Sequence, residues 1–247
     1  MKYVLITGVS RGLGKALAKA FLYASYGVIG ISRTCDPELE EEAKKNRKPF
    51  TFLPWDLTKI EHLEDLVSQI LSILPRDCEE LVFIHNAGEM QPVTEIKNLT
   101  ASDILHNFLL NTISPITLTS AFVRKFPPTS LPLQMIFISS RSVIAPRKLW
   151  AVYGAAKASI DHFARSLALE YRKKKTFHVL VIHPPAMDTE MRKQYLKKRS
   201  WFFWLWDWIS IHILRQKKVY PPDLVAWKIL YLIEKKSLPS GTVWKWE

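Results

Sequence analysis

Cysteine is nearly absent from this chain. Cys35 and Cys78 are the two among 247 residues. They make no disulfide framework and their spacing suits no metal site, so no metal is expected. Two free thiols fit a reducing compartment. Long apolar runs are missing too: the most aromatic stretch, residues 201–214, is 14 residues long, whereas a spanning helix takes roughly 20. The first strand candidate starts at the initiator methionine, which leaves no place for a signal peptide, and a cytoplasmic protein is expected. No Gly/Ser linker, repeat or low-complexity segment interrupts the sequence. Residues 1–247 are therefore read as a single domain able to bury a sizeable core.

Acids are outnumbered. The formal net charge is +12, and between residues 172 and 218 there are 12 Lys/Arg against 3 acids. Such a stretch suits a solvated face, an anionic membrane, a polyanionic cofactor or nucleic acid. The absence of any zinc-finger, helix-turn-helix or aromatic RNA-binding pattern excludes nucleic acid as a partner.

What is present is a regular alternation. Apolar runs at 3–7, 28–32, 50–55, 81–86, 135–139 and 177–183, with one more near 242–246, are separated by helical spacing at 13–24, 37–46, 60–74, 102–125, 153–173 and 222–234. Strand–helix alternation of this kind predicts parallel strands buried on both faces, hence an α/β fold with a doubly wound parallel sheet of about seven strands flanked by helices. Ligands of such sheets lie at the carboxyl ends of the strands. The chemically suggestive residues fall there: Gly8–Gly14 after the first strand, Ser32 and Arg33 after the second, Asp56 and Leu57 after the third, Asn86–Gly88 after the fourth, Ser140 after the fifth, Pro184 and Pro185 after the sixth.

The turn Thr7-Gly8-Val9-Ser10-Arg11-Gly12-Leu13-Gly14 has the makings of a dinucleotide phosphate site. Gly8 permits the tight turn, while Gly12 and Gly14 allow backbone and helix close to a pyrophosphate at the helix N-terminus. An acid after the second strand would favour NAD. This chain has Arg33 there, with Arg11 directed to the same space, and two guanidinium groups suit a 2′-phosphate. NADPH is the expected cofactor. Asp36 comes several residues late and suits a helix cap.

Tyr153 is followed four residues later by Lys157, with Ser140 13 residues upstream. On a helix the tyrosine and lysine share a face, so the ammonium is expected to lower the phenol pKa from its usual ~10. A proton donor beside a dinucleotide site points to carbonyl–alcohol redox chemistry.

These residues, in this order and spacing, resemble the short-chain dehydrogenase/reductase family across essentially the whole chain: Thr7–Gly14, Asp56-Leu57, Asn86-Ala87-Gly88, Asn111, Ser140, Tyr153 with Lys157, and Thr189. The stretches Ile31–Thr34, Leu110–Pro115, Lys148–Tyr153 and Ala186–Met191 are most similar to the sepiapterin reductase and benzil reductase branch. The resemblance implies a Rossmann-type fold. It also implies that Ser10, Leu13, Leu57, Ala87, Pro184 and Thr189 help hold the cofactor, and that Lys157 bonds the nicotinamide ribose. Ser140 would then hold a substrate carbonyl oxygen that Tyr153 protonates, and Asn111 would hold a water linking Lys157 to solvent. Such enzymes form dimers or tetramers, so a homodimer or homotetramer is expected.

Three departures stand out. The family has Pro-Gly where this chain has Pro184-Pro185, which predicts either a different loop path or a lost donor. His85 replaces a common asparagine and is read as a satisfied core histidine. Trp244 stands where sepiapterin reductases carry a pterin-binding aspartate, which favours an apolar or aromatic ketone or 1,2-dicarbonyl substrate over a pterin. Residues 190–218 are expected to cover the substrate side, and for 201–214 three readings stay open: lid, subunit contact, or peripheral contact with an anionic membrane. The overall alternative to a carbonyl reductase is a non-catalytic NADP-binding regulatory or membrane-associated protein of the same fold.

Overall fold

The computed structural model describes residues 1–126, 131–193 and 218–246. Seven strands form one sheet: β1 (Lys2–Thr7), β2 (Gly27–Ser32), β3 (Phe50–Pro54), β4 (Glu80–His85), β5 (Leu133–Ile138), β6 (Phe177–His183) and β7 (Thr242–Lys245). Their order is β3-β2-β1-β4-β5-β6-β7, every pair parallel. Strand order reverses where β1 lies between β2 and β4, so a crevice opens beyond their carboxyl ends.

Helices cover both faces: α1 (Gly12–Tyr23), α2 (Pro37–Asn46), α3 (Leu63–Ile73), α4 (Ala101–Phe108), α5 (Ser114–Lys125), α6 (Ala151–Glu170) and α7 (Pro222–Lys235). Side-chain alternation along the strands divides the core in two. Leu5, Phe83, Phe137 and Val181 pack against α3, α5 and α6, with Leu66, Phe122 and Ile160 opposite them. Val4, Ile84, Ile138 and Ile182 pack against α1 and α7, with Leu17, Ile229 and Ile233 opposite. Strands buried on both faces have no reason to alternate polar with apolar, which is why they read as continuous Val/Ile/Leu/Phe runs.

The expected helix over 102–125 is not one regular helix. A wider π-helical turn, Leu109–Ile113, separates α4 from α5. Pro115 has no N–H to offer the Asn111 carbonyl four residues back, so the ordinary register cannot continue through it. Asp36 caps α2, its Oδ1 accepting the Glu38 N–H at 3.0 Å.

Candidate active site

The glycine turn is shaped by backbone conformations that side chains resist. Gly8 has φ +78° and Gly12 φ +58°, both in the left-handed region. At Gly14 the constraint is contact: a Cβ there would lie 2.0 Å from the Gly8 carbonyl oxygen. The turn delivers the chain into α1, which starts with no side-chain cap and no acid in its first turn. That suits an anion at the first-turn N–H groups. Across the groove, Thr189 comes within contact of the place a Gly12 Cβ would take, 3.5 Å from its Cγ2. Glycine turn and post-β6 loop are two walls of one slot.

Arg11 and Arg33 are exposed at the ends of the neighbouring strands β1 and β2. The Asp36 carboxylate is engaged elsewhere, with Lys15 Nζ at 2.5 Å as well as the α2 cap. Asp56 is held below the usual carboxylate range chiefly by the Thr58 N–H, with a smaller contribution from the Arg33 charge. Ser32 turns its hydroxyl to the Thr34 carbonyl at 2.7 Å. The residues present therefore fit a dinucleotide: a narrow glycine cradle, open helix N–H groups and two exposed guanidinium groups.

Asn86 bonds the end of β1 and the start of the glycine turn. Its Nδ2 donates to the carbonyls of Thr7 (2.9 Å) and Gly8 (3.2 Å), while the Asn86 and Ala87 N–H groups both donate to Thr7 Oγ1 at 3.0 Å. It ties the end of β4 to the glycine turn. Gly88 is required by contact, since a Cβ would meet Asn111 Oδ1 at 2.7 Å and Lys157 Nζ at 3.2 Å. Asn111 spends its side chain on backbone: Nδ2 donates to the carbonyls of Glu89 (2.8 Å) and Asn107 (3.1 Å), and Oδ1 accepts the Glu89 N–H at 3.3 Å. Asn107, one turn earlier, holds the carbonyls of Glu89 and Gln91. The pair clamps the strand exit beside Lys157.

Helix α6 brings Tyr153 and Lys157 to one face, 8% and 5% exposed. Lys157 Nζ donates to the Ile138 carbonyl at 3.0 Å. Burial pulls its pKa down to about 8, against an opposing pull from Asp161. Ser140 caps a short turn, Arg141–Val143, its Oγ accepting from the Ser142 N–H (3.1 Å) and hydroxyl (2.9 Å). Ser140 also acts on the Tyr153 phenol, favouring its ionised form. The expected depression of the phenol is not what the site produces. Burial pushes Tyr153 up, outweighing the downward pull of Ser140 and then Arg147. The phenol is thus held protonated at neutral pH.

His85 lies beneath Lys157, stacked on Phe83 and Phe137 with Nε2 3.0 Å from Thr119 Oγ1. Burial, and then the Lys157 charge, drops its pKa to about 3. Between them is a small cavity, also lined by Asn111 and Ser114, with room for about one water.

Several contributors escaped the sequence reading. Ser142 orients Ser140. Met90 and Val93 pack on Tyr153 with Leu149 and Trp150 alongside, the indole edge-on to the phenol at 5.8 Å between centroids. Leu149 has φ +71°, a conformation unfavourable for a leucine and of the kind found at functional sites. Arg147 stacks on Trp150 at 4.9 Å. No residue from 184 to 189 takes a positive φ, so the loop after β6 runs without needing a glycine where Pro185 stands. Trp244 packs edge-on to Trp246 and against the core beside α7. The 201–214 segment lies outside the described residues, and among those described no helix is long and apolar enough to cross a membrane.

Comparison with known proteins agrees with this geometry. The short chain dehydrogenase profile matches residues 2–200. A benzil reductase ((S)-benzoin forming) of Bacillus cereus is 30% identical over 245 residues, covering 98% of both chains. Sepiapterin reductase of Xenopus tropicalis is 28% identical, over 76% of this chain and 74% of the relative. A solved short chain dehydrogenase/reductase of Saccharomyces cerevisiae superposes with a TM-score of 0.81 at 21% identity, over 99% of this chain and 96% of that one. The chain belongs to the short chain dehydrogenase family and is an oxidoreductase of the nicotinamide-dependent kind.

Proposed function

We propose that this protein is an NADPH-dependent carbonyl reductase that converts an aromatic or apolar ketone or 1,2-dicarbonyl to an alcohol. The observation that carries the reading is Ser140, half-buried just after β5, beside the buried Tyr153 and Lys157 of α6, with a protonated phenol facing an apolar wall of Met90, Val93 and Trp150. Its benzil reductase relatives support the substrate class, and the exposed Arg11 and Arg33 support NADPH over NADH.

When bound, the reduced nicotinamide supplies the hydride. Ser140 donates a hydrogen bond to the substrate oxygen, and Tyr153 transfers its phenolic proton to that oxygen as negative charge develops there. An acid is needed for this direction, so a phenol held protonated by burial is suited to it. Lys157 stabilises the phenolate that remains until solvent returns the proton. Asn111 and Asn107 act as positioning residues, holding the 88–91 backbone in place beside Lys157. On its sequence position alone, the 190–218 segment is read as the cover of the substrate side.

Purified protein should consume NADPH in step with benzil, releasing benzoin, and should use NADH poorly. No product from a panel of ketones and diketones, with tight NADPH binding, would instead favour a cofactor-binding protein without turnover.

A further inference from the structure

Helix α6 carries a third polar residue on the face of Tyr153 and Lys157. Asp161 is one turn beyond the lysine, 5% exposed, and its Oδ2 accepts from Nε2 of His183, 1% exposed, at 2.7 Å. His183 ends β6 immediately before Pro184, so the bond pins α6 to the strand that leads into the cofactor loop. Among the described residues, Asp161 Oδ1 and His183 Nδ1 have no further hydrogen-bond partner. A carboxylate this deep in the protein is unfavourable unless a nearby positive charge and a hydrogen bond compensate it. His183 provides the hydrogen bond. One turn back on α6 is the Lys157 ammonium, which among the described residues bonds the Ile138 carbonyl and no carboxylate.

We propose that Asp161 and His183 form a positioning pair for Lys157, the carboxylate supplying the negative charge that keeps the lysine an ammonium and His183 holding that carboxylate in place. The inference rests on the role given to Lys157 above. The direction of the Asp161 effect agrees, since it is the group that opposes burial at Lys157. The other titratable groups facing the lysine do not substitute for it. Tyr153 on α6 is held as a neutral phenol, and His85 on β4 is uncharged above about pH 3. From β5 the lysine meets the Ile138 carbonyl.

The test is an NMR titration of the Lys157 side chain, labelled at Cε, in the full-length protein and in Asp161→Asn, beside the pH profile of kcat/KM for benzil. Asp161→Asn should lower the Lys157 midpoint by about one pH unit, with the alkaline limb of kcat/KM moving down by the same amount. His183→Leu, which leaves the carboxylate without its donor, should shift both in the same direction and serves alone if the asparagine variant does not fold. An unchanged midpoint in whichever variant folds, even with a lower melting temperature, overturns the proposal and leaves the pair a structural tie. The titration needs no turnover, so a protein inactive on carbonyls would fail the functional reading without touching this one.

Discussion

Replacing Lys157 by methionine should abolish catalysis yet stabilise the protein at neutral pH. Even with Asp161 pulling it back up, the lysine pKa falls from 10.5 to about 8 in the fold, which at 1.4 kcal/mol per unit is a penalty of about 3 kcal/mol for burying the ammonium, net of its attraction to that carboxylate. The sign follows from linkage. Between those two pKa values the unfolded chain binds more protons, so the parent gains stability as pH rises from about 8 to 10.5, and the penalty is fully present at pH 7. Methionine escapes it and packs as an apolar side chain of similar length. It leaves the Ile138 carbonyl, now bonded at 3.0 Å, without a donor, at a cost of about 1–2 kcal/mol. The variant should therefore be about 1–2 kcal/mol more stable than the parent at pH 7 and lose that advantage by pH 10. Urea unfolding of both proteins at the two pH values measures this. A difference that is independent of pH, or that grows toward pH 10, refutes the reasoning.

Four further outcomes follow from the same structure. Gly14→Ala puts a Cβ 2.0 Å from the Gly8 carbonyl and should destabilise by about 2–3 kcal/mol with loss of dinucleotide binding. Gly154→Ala, whose Cβ would come no closer than ordinary contact to the Ser142 carbonyl oxygen, 3.8 Å away, should fold normally by circular dichroism. Arg33→Ala should weaken NADPH binding by about 10- to 100-fold and leave NADH binding unchanged in a fluorescence titration. His85 has its pKa depressed to about 3, so its contribution is intact above pH 6.5 and lost as pH falls toward 3; His85→Leu should move the acid-unfolding midpoint to lower pH.

The strands and the glycine turn were legible because their signals are local. Continuous apolar runs report two-sided burial, and glycine at three positions of an eight-residue turn reports a backbone that no other residue fits. Tyr153 and Lys157 were legible for the same reason, being four apart on one helix. The break at 109–113 was less so: Pro115 reads equally as a first-turn proline of a helix or as a register fault, and the outcome depends on Asn111 finding the Glu89 backbone 22 residues away. The upward shift of the Tyr153 phenol could not be read either, since it comes from walls contributed by Met90, Val93 and Trp150. Arg147, Ser142 and the Asp161–His183 pair belong to the same class. Each matters through a neighbour that only the fold supplies, and His183 in sequence is one more histidine at the end of a strand. Asn86 was legible as a site residue, while its actual bonds to the Thr7 and Gly8 carbonyls required the parallel pairing of β1 with β4.

The central claim is that Tyr153 gives the proton that completes carbonyl reduction. The measurement that bears on it most directly is the single-turnover rate of NADPH oxidation by benzil in Tyr153→Phe, with NADPH affinity measured on the same sample. Loss of the donor should slow that step at least about 100-fold while the cofactor still binds as in the parent. A Tyr153→Phe protein that reduces benzil at the parental rate would contradict the account.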